Sequence, residues 1–455
     1  MQQRISFFAV VLLASTLHAS TDGDLLQKQI NSMPKDDDAR GANAVVLALV
    51  QTTTKSKAAK HFADRRQYDL MTLQLQDLAA KMNSPEAQKI FAAQLPRLPL
   101  ETQMALCFGL KLAAPNPSLD AAALKLLEPK ADNRLKVALI ELLAAHRVYA
   151  AVPKVQPLLT PEAFFSVQVA ACRALASLPD KTSVPVLLKF MEPFKAKGNG
   201  RLMYEAVAAL RSITGEKLSA DHPAWARWWQ ENQSKLIVDT NRAAAPEFNF
   251  EQKTDDYEVT YYDIPVVENR IVFVIDMSGS MQFGGNPSRW DSASGDLKKI
   301  IARLDDKQQF NIIAFASGTN RWKRKEALVP ASELNRKEAA KFIDSLKALG
   351  GTQTTDVMED VIRDIAAVSG CEAVYLVTDG SPNPWAKDIT SAIQERYITW
   401  YNQPWKVRIN TIGIYTTTAK EKTTVAKEED QEGMKAFLYN LAANNDGIYR
   451  EIGKN

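Results

Sequence analysis

Apolar and polar positions follow two different rules along the 455-residue chain. From about residue 45 to 230, Ala and Leu recur at helical spacing and prolines break the run. From about 257 onward, short unbroken apolar runs alternate with amphipathic stretches. The first pattern predicts helices alone; the second predicts strands alternating with helices.

The helical part repeats. Leu95-Pro96, Leu127-Glu128-Pro129, Leu159-Thr160-Pro161 and Met191-Glu192-Pro193 set prolines 33, 32 and 32 residues apart. Helices predicted from Met104, Val137, Val169 and Tyr204 each carry a leucine six residues in: Leu110, Leu143, Leu175 and Leu210. Before it stands a small or apolar residue: Gly109, Leu142, Ala174 or Ala209. Paired helices at this period predict an α-solenoid, with small residues at close helix contacts and prolines ending helices. Trp225, Trp228 and Trp229 share one helix face and predict a cap sealing the last repeat. Residues 236–256 lack any period and are expected to be a linker, with limited proteolysis cutting there. The parts on either side, 20–235 and 257–455, are expected to fold separately.

The second part predicts a doubly wound, mostly parallel sheet. Ile271-Val272-Phe273-Val274-Ile275 runs straight into Asp276, and Tyr375-Leu376-Val377-Thr378 into Asp379. Such runs suit strands buried on both faces. Further strands are predicted at Phe310–Ala316, Glu326–Val329, Val407–Tyr415 and Gly447–Ile452, with Glu258–Tyr262 as a strand joining the sheet. Helices are predicted at Trp290–Leu304, Leu334–Leu349, Ala386–Trp400 and Met434–Ala443. Asp356 and Glu359 form a capping box for one more, running to Ala367. Thr416–Glu432 is expected to be an exposed loop.

Asp276 thus stands at the carboxyl end of a strand, where open α/β sheets bind ligands. Ser278 and Ser280 follow at alternate positions around Gly279, presenting three oxygen side chains in five residues. Hard cations such as Mg²⁺ want such ligands. Gly350-Gly351-Thr352-Gln353-Thr354 places another hydroxyl before a helix. Together these residues resemble the von Willebrand factor type A (vWA) domain and its metal-ion-dependent adhesion site. That pattern is D-x-S-x-S, a loop threonine, then an aspartate ending a later strand. Asp276, Ser278, Ser280, Thr352 and Asp379 match it position by position. The resemblance implies that these five hold Mg²⁺, Mn²⁺ or Ca²⁺, with a partner's Asp or Glu completing the coordination. It also implies neighbouring strands, whose carboxylates would emerge ~4.8 Å apart and repel without a cation between them. No Lys or Arg occupies the motif itself. Taken singly, the serines and Thr352 are ordinary capping residues, although Asp356 takes that role from Thr352. The 32-residue period resembles HEAT-type repeats, ahead of tetratricopeptide repeats, whose Trp/Gly/Tyr positions are missing.

Charge and composition narrow the function classes. A net charge of +3 gives no field for nucleic acid. Met1-Gln2-Gln3-Arg4, the apolar stretch Ile5–Leu17 and Ala19 predict a signal peptide over residues 1–19, hence export to the periplasm or outside the cell. No second run is long enough to span a membrane. Leader, helical repeats and vWA domain together resemble exported bacterial proteins. The three cysteines, Cys107, Cys172 and Cys371, are scattered and expected to be buried hydrophobes. No histidine follows His222, so Asp276 lacks a triad base. A dehalogenase-type phosphatase needs an acid where Ser278 stands, and no P-loop occurs. These features favour a metal-dependent protein-binding module, used in adhesion or as a scaffold, over an enzyme. The alternatives are a scaffold with a vestigial metal site and, further off, a metal-dependent phosphoryl hydrolase. Met281, Gln282 and Phe283, with Asn383, Pro384 and Trp385, are expected to rim the site.

Overall fold

Side-chain caps and prolines start most helices of the first part. The computed structural model describes residues 21–194, 200–241, 259–325, 327–415 and 428–453. The expected leader at 1–19, most of the 236–256 linker and most of the expected 416–432 loop lie outside the described residues. Contacts divide the chain into two units, and these do not part at the linker.

One unit takes the described residues up to Val148, with Pro384–Ile393. Its helices run α1 (Thr21–Ser32), α2 (Ala39–Ala58), α3 (Phe62–Ala79), α4 (Pro85–Gln94), α5 (Leu100–Leu110), α6 (Pro117–Leu126) and α7 (Asn133–Ala145). Asp38, Ser84, Asn116 and Asp132 cap α2, α4, α6 and α7 by accepting first-turn N–H groups. Pro85 and Pro117 occupy first-turn positions that have no hydrogen bond to lose. Gly109 shows why a repeat position is small: a Cβ there would lie 2.8 Å from the Gln76 carbonyl oxygen on α3. Leu110 and Leu143 are completely buried.

The other unit takes Tyr149–Asn383 and Gln394–Asn455. It opens with α8 (Val152–Val155), α9 (Phe165–Ser177), α10 (Ser183–Met191), α11 (Gly200–Thr214) and α12 (His222–Asn232). Leu175 and Leu210 are buried like their counterparts. Trp225 is buried in the expected cap and Trp228 meets it edge-on at 6.2 Å, while Trp229 stays half-exposed.

Strands β1 (Thr260–Tyr261) and β2 (Ile264–Pro265) form a separate antiparallel pair. The stretch expected to join the large sheet therefore does not. Tyr262 and Asp263, with φ of 49° and 57°, fold it back on itself.

The large sheet comprises β3 (Arg270–Asp276), β4 (Gln309–Phe315), β5 (Thr319–Arg321), β6 (Val329–Pro330), β7 (Ala373–Thr378), β8 (Arg408–Ile414) and β9 (Tyr449–Ile452). Its order is β5-β4-β3-β7-β8-β9, with β6 also on β4. The β4-β3-β7-β8-β9 pairings are parallel, and β5 and β6 are antiparallel edges. Sequence order leaves β3 in one direction for β4 and in the other for β7. That reversal opens a crevice at the carboxyl ends of the central strands.

Helices cover both faces: α13 (Arg289–Arg303), α14 (Glu333–Ser345), α15 (Thr354–Asp360), α16 (Ala367–Ser369), α17 (Ser391–Asn402) and α18 (Glu428–Ala443). Alternate residues of β3 feed two cores. Ile271, Phe273 and Ile275 meet α13 and α14, and Val272 and Val274 meet α15 and α18. A π-type stretch, Val361–Ala366, joins α15 to α16. The expected Asp356–Glu359 capping box is not formed: the helix starts three residues earlier, at Thr354 with Gln353 as its N-cap. Glu359 instead accepts the Tyr397 hydroxyl at 2.7 Å.

One buried cation ties the last repeats to the base of this sheet. Arg201, fully buried on α11, donates to the carbonyls of Glu372 (3.0 Å) and Lys406 (2.7 Å). It also pairs with Asp446 (3.1 Å) and Glu205 (3.1 Å). Arg173 on α9 pairs with the same two carboxylates. Cys107, Cys172 and Cys371 are buried free thiols.

Candidate metal centre

The crevice at the ends of β3 and β7 collects the expected residues. Asp276 ends β3 and is completely buried. Its Oδ1 accepts the Ser278 N–H at 2.7 Å and its Oδ2 accepts the Thr378 hydroxyl. The loop after it is held by backbone bonds on two sides. Met277 N–H donates to Phe315 at the end of β4, and Gly279 N–H donates to the Gly350 carbonyl at 2.9 Å. Gly350 has φ +102°, and a Cβ there would stand 2.9 Å from the Ser317 hydroxyl. Glycine is therefore required where this loop meets the Asp276 loop.

The hydroxyls of Ser278 and Ser280 lie 3.0 Å apart. Ser280 donates to Asp379 Oδ1 at 2.7 Å. Thr352 is buried and its side chain faces Gly380: a Cβ built on that glycine would stand 3.5 Å from Thr352 Oγ1. The Thr352 carbonyl accepts the Asn383 N–H at 2.8 Å, linking this loop to the one after β7. The loops carrying Asp276, Thr352 and Asp379 are thus joined to one another.

The expectation of two unpaired carboxylates needs correction. Arg289, the first residue of α13, is buried, and its Nη1 donates to Asp379 Oδ2 at 2.7 Å and to the Ser280 carbonyl at 3.4 Å. Asp379 therefore already has a cation, supplied from ninety residues away in sequence. Thr378, another hydroxyl at the site, was also not singled out by the motif. Spacing could not reveal Arg289, because only the packing of α13 brings it to Asp379. Asp276 is held instead by neutral donors, the Ser278 N–H and the Thr378 hydroxyl. Burial, and next the charge of Asp379, push its carboxyl up to about 7.

The donor set fits a hard divalent cation. It is all oxygen: two carboxylates and three hydroxyls. Among the described residues, no group of three or more His, Cys, Asp or Glu side chains is placed to hold a metal. A softer, cysteine- or histidine-based centre is therefore not what the described residues offer. Asp276, buried and reluctant to ionise, is the kind of group that a bound cation relieves.

The rim differs from expectation in two residues: Met281 is completely buried in the core beside α13, and Trp385 is engaged within the chain. Phe283 is exposed (52%). Trp385 is half-buried and carries the Arg66 guanidinium over its ring, 4.8 Å from the centroid. Its aromatic face is already engaged within the chain.

Comparison with known proteins covers this same region. Residues 269–427 match the family model described as von Willebrand factor type A domain. The human inter-alpha-trypsin inhibitor heavy chain H4 is 30% identical over 164 residues, which is 32% of this chain and 17% of that protein. The chain thus spans about a sixth of that relative's length. A von Willebrand factor type A structure from Catenulispora acidiphila is 21% identical with a TM-score of 0.32, covering 41% of this chain and 39% of that one. Mussel byssus proximal thread matrix protein 1, with a zinc-occupied MIDAS motif, is 20% identical with a TM-score of 0.29, covering 40% and 41%. These likenesses to solved structures concern the fold alone. Residues 269–427 of this chain are a von Willebrand factor type A domain, and a helical region precedes it.

Proposed function

We propose that the chain is an exported, metal-dependent protein-binding protein. Asp276, Ser278, Ser280, Thr352 and Asp379 would hold a divalent cation, Mg²⁺ first and Mn²⁺ or Ca²⁺ as alternatives. The observation that supports this reading is the run of contacts linking Asp276, Ser278, Ser280 and Asp379 at the ends of β3 and β7, with the Thr352 side chain facing Gly380 beside Asp379. When bound, the cation would supply an open coordination position for a carboxylate of the partner. The chain's own residues do the rest. Ser278 N–H and Thr378 orient Asp276; Ser280 and Arg289 orient Asp379. Exposed Phe283 offers an apolar contact beside the site, suited to an acidic residue set in an apolar patch.

A binding role is favoured over catalysis because the site has no histidine or thiol, and Ser278 stands where a phosphatase of this topology needs an acid. By its name the inter-alpha-trypsin inhibitor heavy chain H4 is a chain of an inhibitor, which agrees with a binding role. The helical repeats, of HEAT type in this reading, are a second interaction surface. Export rests on the leader pattern at 1–19; no helix among the described residues is long and apolar enough to cross a membrane.

Titration calorimetry of the full chain tests the site. Mg²⁺ is expected to bind at one site, weakly, because only two carboxylates contribute. Asp379→Ala should lose that binding. Unchanged binding in the variant would overturn the ligand assignment. Capture of partners with and without chelator tests the role, and chelator-insensitive capture would move the interface to the repeats.

A further inference from the structure

Arg289 has no place in the motif, yet it brings a cation into contact with one of its carboxylates. Its guanidinium is buried beside Asp379 at 2.7 Å, and its backbone N–H is fixed by the Phe283 carbonyl at 2.8 Å. The residue is placed by the start of α13, where Ser288 and Asp291 form a reciprocal capping box. The helix start is thus set locally, and the guanidinium is delivered to the crevice as a consequence. Asp379 then divides its two oxygens, Oδ1 toward Ser280 and Oδ2 toward Arg289.

Charge counting gives this arrangement a meaning. With both carboxyls ionised, two carboxylates and one guanidinium leave one net negative charge. A divalent cation turns that into one net positive charge; without Arg289 it would only reach neutrality. A fixed positive charge beside a divalent ion repels it, and strongly so where little water intervenes. The same charge attracts an anion arriving at the cation's open position.

Building on the metal-site reading, we propose that Arg289 is a resident counter-cation that sets the specificity of this centre. It holds Asp379 in place before the metal arrives, weakens the metal when it binds alone, and leaves the loaded site positive. That surplus selects an anionic group on the partner, a carboxylate, over a neutral one. Metal and acidic ligand therefore reinforce each other's binding, by the same factor in both directions.

The test uses the full chain, with Mg²⁺ alone as the probe, and compares the parent with Arg289→Gln and Arg289→Lys. Arg289→Gln keeps a donor and removes the charge. It is expected to bind Mg²⁺ about tenfold more tightly, while melting earlier than the parent in chelator because Asp379 has lost its partner. Arg289→Lys keeps the charge and should stay within about threefold of the parent's affinity. A merely structural arginine gives a different result: Arg289→Gln would then lower the melting temperature and weaken Mg²⁺ binding together, and that outcome overturns the proposal. Equal affinity in parent and Arg289→Gln overturns it as well. If Arg289→Gln fails to fold in chelator, folding restored by Mg²⁺ supports the proposal, and failure to fold in either condition counts against it. A parent that binds no Mg²⁺ overturns the metal site itself, and with it this inference. A parent that binds while Arg289→Gln shows no gain removes this inference alone.

Discussion

Asp276→Asn is expected to make the metal-free protein more stable above neutral pH while removing its response to Mg²⁺. The two effects have opposite signs and one cause. Unfolded, Asp276 loses its proton near 3.8; folded, near 7. Between those values the folded chain keeps a proton that the unfolded chain has lost, so this group's contribution falls as pH rises. Above about 7 its full cost is present, on the order of 4 kcal/mol. Asparagine carries no charge and fits the same space. Its oxygen can accept from Ser278 N–H, and its amide can donate to Thr378, whose hydroxyl can turn toward the Gly380 carbonyl at 3.4 Å. In chelator at about pH 8 the variant should gain roughly 1–3 kcal/mol over the parent. At about pH 5 the gain should shrink. Denaturant titrations of both proteins at the two pH values, repeated with Mg²⁺, measure this. A variant less stable than the parent at the higher pH would show that the buried carboxylate is compensated in some other way.

Arg201→Ala is expected to cost about 3–5 kcal/mol, because it strips a buried ion pair of one partner. The carbonyls of Glu372 and Lys406 lose a charged donor, Glu372 retaining the Arg408 N–H, and Glu205 and Asp446 lose one cation while Arg173 stays paired with both. Arg201→Lys should fall between, since one ammonium cannot serve four acceptors spread around a planar fork. Urea unfolding of the full chain is the measurement, and a loss under about 1 kcal/mol would mean that water replaces the guanidinium at little cost.

The central strands were legible almost to the residue because each is buried on both faces, so its sequence is an apolar run with a definite end; the edge strand expected at Glu326–Val329 is instead Val329–Pro330, too short and exposed to announce itself. The run Tyr375-Leu376-Val377-Thr378 lies wholly within Ala373–Thr378, and Phe310–Ala316 is displaced by one residue from Gln309–Phe315. The four leucines at matching positions are buried, and the helical character of the first part was legible through its Ala- and Leu-rich spacing. Thr319–Arg321 was not, because an exposed polar edge strand, Thr-Asn-Arg, carries no hydrophobic signal. The helix at Ser391–Asn402 begins five residues later than expected, as Thr390 accepts the Ile393 N–H and starts it. In the crevice, the five oxygen residues were legible from motif spacing and the β3–β7 pairing was implied by the family. Arg289 was not, since ion pairs between distant segments leave no periodicity. The tryptophan at 385 was ambiguous for the same reason: nothing local announces Arg66.

The three buried thiols make the chain its own reporter of local opening. Burial pushes Cys107 and Cys371 up to about 12 and raises Cys172 as well. A thiolate is what reacts with an alkylating reagent, so each site stays silent until its surroundings open. Cys172 lies on α9 and Cys371 just before β7, on opposite sides of the Arg201 pairings. If those pairings make repeats and sheet open as one cooperative body, the two thiols will be alkylated with the same protection in mild urea. Faster labelling of Cys172 would mean that the last repeats breathe by themselves, and Cys107 gives the corresponding clock for the first unit.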